Sequence, residues 1–143
     1  MRQDEIPTRS KGPSLREAVV AVMVKDERLL VIRRGSKAIA EGYWAPLGRI
    51  EAGESQEAAV VREVGEEAGL RVRALEKVWE CPSDDGRFRL HWWTVDADDA
   101  ELQLDPGEVS EARWVTPAEF LELNPTFEAD REFVSHVLPS ISR

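Results

Sequence analysis

From Glu17 onward the chain alternates between short apolar runs and polar breaks. Ala18-Val19-Val20-Ala21-Val22-Met23-Val24 is continuous, rich in β-branched residues and too short for a typical helix, so it predicts a buried strand. Lys25-Asp26-Glu27-Arg28 breaks it with a polar turn. Leu29-Leu30-Val31-Ile32 predicts a second strand, paired with the first as a hairpin. Gly35 to Gly42 is a polar connector, and Tyr43-Trp44-Ala45-Pro46-Leu47-Gly48 brings in aromatics and a proline that interrupts regular ladders. Apolar positions then change to a helical period: Ser55 is an N-cap for a helix through Ala58, Ala59, Val60, Val61 and Val64 to Ala68, with Gly69 as its stop. Gly65 inside it costs up to about 1 kcal/mol relative to Ala, which suggests close packing, a functional reason or a tolerated surface position. Val72 to Trp79 and Phe88 to Val95 read as strands joined across Ser83-Asp84-Asp85-Gly86, whose Asp-Gly pair is a turn signal. Ala112 to Val115 predicts a short strand, Thr116-Pro117 a helix start, and Phe127 to Leu138 a last helix. Strands and helices interleave without internal repeats, which gives an α/β or α+β single domain over 15–143 behind an unpatterned leader, 1–14.

Composition narrows the class. The 143 residues can bury one substantial core, and 42% apolar against 33% charged residues is a globular balance. The longest apolar run is far short of the roughly 20 residues a membrane-crossing helix needs. Cys81 is the only cysteine, so neither an internal disulfide nor a cysteine-based zinc site can form, and a reducing, cytoplasmic compartment fits best. As a lone thiol it reads as a small apolar filler. Net charge is −9, and Asp96 to Glu132 alone holds 12 acidic against 2 basic residues. That balance offers no basic stripe for duplex nucleic acid. Small phosphorylated ligands remain open if a divalent cation bridges the repulsion.

Glu63, Glu66 and Glu67 occupy positions i, i+3 and i+4 of the predicted helix, which places three carboxylates on one face. Taken alone such a trio is most simply a solvated acidic face. The alternative is a set of oxygen donors for a hard cation such as Mg²⁺ or Mn²⁺. The surrounding stretch decides between them. Gly48, Glu54, Arg62, Glu63, Val64, Glu66, Glu67, Gly69 and Leu70 fall at every position of a pattern that resembles the signature of the Nudix hydrolase family. A chance match along this chain has a probability on the order of 10⁻⁵ at background residue frequencies. Trp44 and Pro46 before the stretch, and Trp114 and Pro117 after it, extend the resemblance over about residues 17 to 123. Leu47 departs from it, standing where family members commonly carry a first glycine.

The resemblance implies an α/β/α sandwich with a mixed β-sheet and a hydrolase acting on phosphoanhydride bonds. It implies that Glu66 and Glu67 bind metal with the Gly48 carbonyl, that Glu63 is a ligand or the general base, and that Glu54 and Arg62 pair to fix the loop against the helix. In MutT-like members a further glutamate lies six residues before a tryptophan, the relation of Glu108 to Trp114, and Glu111 is nearby. The implied cofactor is Mg²⁺, with Mn²⁺ as a substitute. The substrate is a nucleoside diphosphate linked to another group, first a nucleoside triphosphate in the MutT-like manner. ADP-ribose or a dinucleotide polyphosphate is the alternative, and a catalytically idle nucleotide-binding sensor the alternative of another class. Partners are then small nucleotides or nucleotide conjugates, with neither duplex nucleic acid nor membrane, and with a homodimer left open. No G-x-S-x-G sequence occurs, and His91 reads as an ordinary half-buried histidine in a strand. Among Trp79, Phe88, Trp92, Trp93 and Trp114 most should pack the core, with Trp92 the candidate for stacking on a base. Arg33, ahead of Arg34 and Arg49, is the candidate for meeting phosphate oxygens.

Overall fold

The structure, a computed structural model, describes residues 15–50, 54–97 and 101–141; the leader expected over 1–14 lies outside them. Strands β1 (Arg16–Val22), β2 (Val24–Lys25), β3 (Arg28–Arg34), β4 (Trp44–Ala45) and β5 (Leu47–Ile50) precede helix α1 (Gln56–Ala68). Then follow β6 (Val72–Pro82), β7 (Phe88–Ala97), β8 (Val109–Val115) and α2 (Pro117–Glu122). The last helical segment is α3 (Glu128–Glu132), a π turn (Phe133–Val137) and α4 (Leu138–Ile141).

β1 explains the architecture. It pairs antiparallel with β5, Val20 opposite Gly48, and parallel with β7, Val20 opposite Trp92. With β6 antiparallel to β7 this gives a mixed sheet in the order β5-β1-β7-β6, while β3 gathers β2, β4 and β8 into a second sheet. Successive strand residues point to opposite faces. Val19, Ala21, Leu30 and Ile32 therefore enter one core beneath Val60, Val64 and Ala68 of α1. Val20, Val22, Leu29 and Val31 enter another, closed by Phe120, Phe133 and Val134 of the later helices. The two sheets act as one apolar layer between helices, the α/β/α arrangement expected. Burial on both faces is why the run from Ala18 has no polar alternation.

The hairpin expected between the first two strands is shorter than predicted. Only Val24 and Lys25 pair with β3, across Asp26 and Glu27 at φ 53° and 64°. β1 itself lies in the other sheet: the apolar run marked burial but carried no information about which neighbour it pairs with. Leu47 is 1% exposed in the core under α1, so its side chain fills the interior at the start of β5.

Candidate active site

α1 starts and stops as its local chemistry dictates. Ser55 accepts the Ala58 N–H at 3.1 Å, and Gly69, at φ 71°, donates its own N–H to the Gly65 carbonyl. The buried stripe comprises Ala59, Val60, Glu63, Val64, Glu67 and Ala68, so two acids lie on the apolar side of the helix. Glu63 is 4% and Glu67 5% exposed, whereas the Glu66 side chain is 58% exposed. The expected single acidic face is thus divided, with two carboxylates turned inward and one at the rim. Sequestering carboxylates from water costs several kcal/mol unless they are paired, and a solvated helix face has no reason to do it.

Arg62 supplies much of the compensation. Its Nη1 lies 2.7 Å from Glu63 Oε2 and 3.0 Å from Glu66 Oε1, while Nε donates to Glu54 Oε1 at 2.9 Å. The Glu54 hydrogen bond above all, and those of Glu63 and Glu66 after it, raise the Arg62 pKa against the cost of burial, so the guanidinium is permanently charged. The Arg62–Glu54 pair ties the residue just ahead of the helix to its second turn.

The acidic loop before β8 reaches the other end of α1. Gln103 N–H donates to the Ala68 carbonyl and Asp105 N–H to the Glu67 carbonyl, at 2.7 and 3.1 Å. Glu108 sits half-buried in the turn that follows, its carbonyl accepting from Gly35 N–H at 2.8 Å. A side chain at Gly35 would strike the Gly107 carbonyl at 2.7 Å, which is why glycine stands there. Glu111 pairs with Arg113 on β8, Nε to Oε2 at 2.9 Å.

Among the described residues no three acidic, histidine or cysteine side chains are grouped closely enough to enclose a metal ion. Glu63, Glu66, Glu67 and Glu108 therefore do not form a ready cage as placed, and Glu66 leans out to Arg62. The donor chemistry nonetheless fits Mg²⁺: carboxylates at i, i+3 and i+4 and the backbone of Gly48 on β5, against which α1 packs, are all hard oxygen donors.

On the opposite side of the middle layer, between β1 and α3, lies a cavity of about 210 Å³. Its walls are apolar, with Ala18, Val20, Pro46, Phe88, Leu90 and Phe127 contributing, and its polar positions are Arg34, Ser83, Asp84, Asp85 and Asp130. None of the α1 carboxylates lines it. The two regions adjoin through the chain, since Ala45 and Pro46 line the cavity and lead directly into Gly48. Asp130 is 5% exposed, and its Oδ2 has no hydrogen-bond partner. Burial first, and then the nearby charge of Asp84, push its carboxyl up to about 8, with Arg34 opposing. Its surroundings thus favour the protonated acid.

Sequence reasoning missed Asp130, although an acid four residues before Val134, on the apolar stripe of the last helix, was a readable signal. One expectation is corrected. Trp92 is 0% exposed, stacked on Phe133 at 4.4 Å and 12°, so it is core and cannot stack on a ligand. Arg33 is exposed and does not line the cavity; its neighbour Arg34 does, beyond an irregularity in the β3–β8 register. His91 is also more buried than expected, at 4%, with Nε2 bonded to Glu17 and Nδ1 3.5 Å from Glu80. Cys81 is half-buried, and burial raises its thiol pKa, as befits a filler rather than a nucleophile.

A family model described as the NUDIX domain matches residues 14–137. The NAD-capped RNA hydrolase NudC of Deinococcus radiodurans is 29% identical over 133 residues, 90% of this chain and 47% of that protein. NudC of Shigella dysenteriae serotype 1 is 28% identical over 107 residues, 71% of this chain and 39% of that protein. The chain thus spans half or less of the length of these curated relatives. The solution structure of the E. coli ORF135 protein superposes with a TM-score of 0.74 at 28% identity, covering 92% of this chain and 96% of that one. The crystal structure of the MutT protein from Methanosarcina mazei Go1 gives 0.75 at 21% identity, covering 94% and 100%, a likeness of fold. A glutamate-rich helix capped at both ends, tied by Arg62 to its leading loop and set against a mixed sheet, is matched over most of the chain by one family model, and the chain belongs to the NUDIX family.

Proposed function

We propose that this chain hydrolyses a phosphoanhydride bond in a nucleoside diphosphate linked to another group, with Mg²⁺, or Mn²⁺ in its place, as cofactor. The first substrate class is a nucleoside triphosphate, released as nucleotide and pyrophosphate. The observation that carries this reading is the burial of Glu63 and Glu67 on the apolar side of α1, a cost that a merely solvated face would not bear. Glu66 and Glu67 hold the ion with the Gly48 carbonyl, and Glu63 either completes the donor set or takes the proton of the attacking water. In the former case Glu108 or Glu111 is the proton acceptor. Bound there, the ion supplies charge neutralisation for the phosphate oxygens and polarises the attacking water. Arg62 fixes the helix and loop that carry these groups, and Arg33, exposed near the end of β3, meets the outer phosphates.

The nucleoside half belongs in the cavity between β1 and α3, whose apolar walls include the rings of Phe88 and Phe127. A neutral Asp130 carboxyl both donates and accepts a hydrogen bond, which matches the mixed donor–acceptor edge of a base. The chain segment from Ala45 to Gly48 links that cavity to the diphosphate site. Among the described residues no helix is long and apolar enough to cross a membrane, and a free nucleotide of the cytoplasm is the substrate this reading implies.

A panel of nucleoside triphosphates, ADP-ribose, NAD and a dinucleotide polyphosphate incubated with Mg²⁺, its products separated, tests the reading. NAD belongs in it because the relative from Deinococcus radiodurans is named an NAD-capped RNA hydrolase. Release of nucleotide and pyrophosphate from triphosphates is the expected result. Cleavage confined to the conjugates transfers the reading to the ADP-ribose or dinucleotide class. Binding without any cleavage makes the chain a sensor.

A further inference from the structure

The turn between β6 and β7 does more than reverse the chain. Asp84 at its tip reaches the last helical segment, where its Oδ2 accepts the N–H of Glu128 at 2.6 Å and its Oδ1 that of Ala129 at 2.9 Å. Phe127, at the N-cap position, has no side-chain cap of its own, so a residue more than forty positions away in sequence does that work. The next residue is Asp130, whose buried carboxyl faces the cavity. The turn is itself braced: Ser83 Oγ donates to Asp85 Oδ1 at 2.8 Å, and Asp85 Oδ1 also accepts the Arg87 N–H at 3.0 Å.

We propose that Asp84 is a positioning residue for base recognition, holding the start of α3 so that the Asp130 carboxyl is presented to the edge of the bound base. This rests on the cavity being the nucleoside site. Both Asp84 oxygens are used on consecutive N–H groups, so the carboxylate locates the α3 backbone in two directions at once, and Asp130 has one residue of freedom from that anchor. Asp84 acts on the charge of Asp130 as well. The groups around the Asp130 carboxyl are Asp84 and Asp85 from the turn, Arg34 from β3 and the Cys81 thiol from β6. Asp84 favours the protonated acid and Arg34 opposes it. One side chain thus acts on both the place and, after burial, the protonation of the group that reads the base.

The test is a comparison of kcat and KM across pH 6 to 9 with dATP, dCTP, dGTP and dTTP, for the wild type and for Asp84→Ala, Asp84→Asn and Asp130→Asn. Asp84→Ala should raise KM for the preferred nucleotide several-fold, with the loss on KM rather than kcat and with the preference among bases narrowed. Asp84→Asn keeps the shape and one acceptor but removes the charge. It should move the alkaline limb of kcat/KM to lower pH, because Asp130 then ionises more readily. A purely structural cap would raise KM equally for all four nucleotides and leave the limb in place, and that outcome overturns the proposal. Should Asp84→Ala not fold, the limb shift in Asp84→Asn decides alone. Asp130→Asn separates this inference from its premise. If it leaves base preference untouched, the cavity is not the nucleoside site and both readings fall; if it abolishes preference while the Asp84 variants behave as wild type, only the role of Asp84 is overturned.

Discussion

Glu63 and Glu67 sit four residues apart on the inner side of α1, and Glu66 sits between them facing out to Arg62. Spacing alone showed that the three share a helix, but not which of them the protein buries. Burial was readable only through the apolar positions, since Ala59, Val60, Val64 and Ala68 fix the rotation of the helix and carry Glu63 and Glu67 inward with them. Glu63→Gln is the informative substitution. If Glu63 takes the proton of the attacking water, metal affinity should survive while turnover falls by ~10²- to 10⁴-fold, and calorimetric titration of Mg²⁺ alongside rate measurements will show it. If it is a ligand, affinity and turnover should fall together. Asp130 yields a prediction on stability. Its carboxyl titrates from the usual value of 3.8 up to about 8 in the fold, so the folded state holds a proton that the unfolded state releases. The stabilising contribution is complete below about pH 4 and is lost as pH rises to about 8. Asn mimics the neutral acid without titrating. The melting temperature of Asp130→Asn relative to wild type should therefore climb between pH 5 and pH 8, and a constant difference would show that Asp130 is not buried as a neutral acid.

Elements whose signals are local were legible in advance. Ser55 and Gly69 bounded α1 to the residue, and Thr116 with Pro117 and Glu119 forms a full capping box at α2. Elements defined by a distant partner were not. The first apolar run divides at Met23 because β1 pairs with β5 and β7 while β2 pairs with β3, and nothing in a uniformly apolar stretch specifies that choice. Trp92 and Trp93 are adjacent on β7 and point to opposite faces, and the sequence does not specify which face is core. Phe133, forty residues on, turned Trp92 into core, while Trp93 donates from Nε1 to Gln56 at 2.9 Å. The cap from Asp84 to α3 is of the same long-range kind. Gly65 has an answer that the sequence left open. It is exposed, and a Cβ there would meet nothing closer than the Leu70 carbonyl at 3.8 Å. Gly65→Ala should stabilise the protein by about 0.5–1 kcal/mol, seen as a higher denaturation midpoint in urea; a lower midpoint would mean that the helix needs the glycine.

At the scale of the whole molecule, the middle layer separates two regions. Under α1 lie the buried acids, and under α3 lies an apolar cavity with one neutral carboxyl, while the segment from Ala45 to Gly48 passes along the edge between them. The signature revealed the first half because its residues are close in sequence. The second half is assembled from β1, β3, the β6–β7 turn and α3, so no single stretch displays it. Hydrolysis by this chain depends, on this reading, on the acids of α1 holding the ion. The direct measurement is the rate of nucleotide hydrolysis against Mg²⁺ concentration for the wild type, Glu66→Gln and Glu67→Gln, each checked for an intact fold. The wild type should show no turnover in excess chelator and saturable activation by Mg²⁺, and both variants should show weakened activation together with a large loss of rate. Wild-type rates in both variants, or full turnover without a divalent ion, would contradict it and leave α1 as an acidic helix with no part in the chemistry.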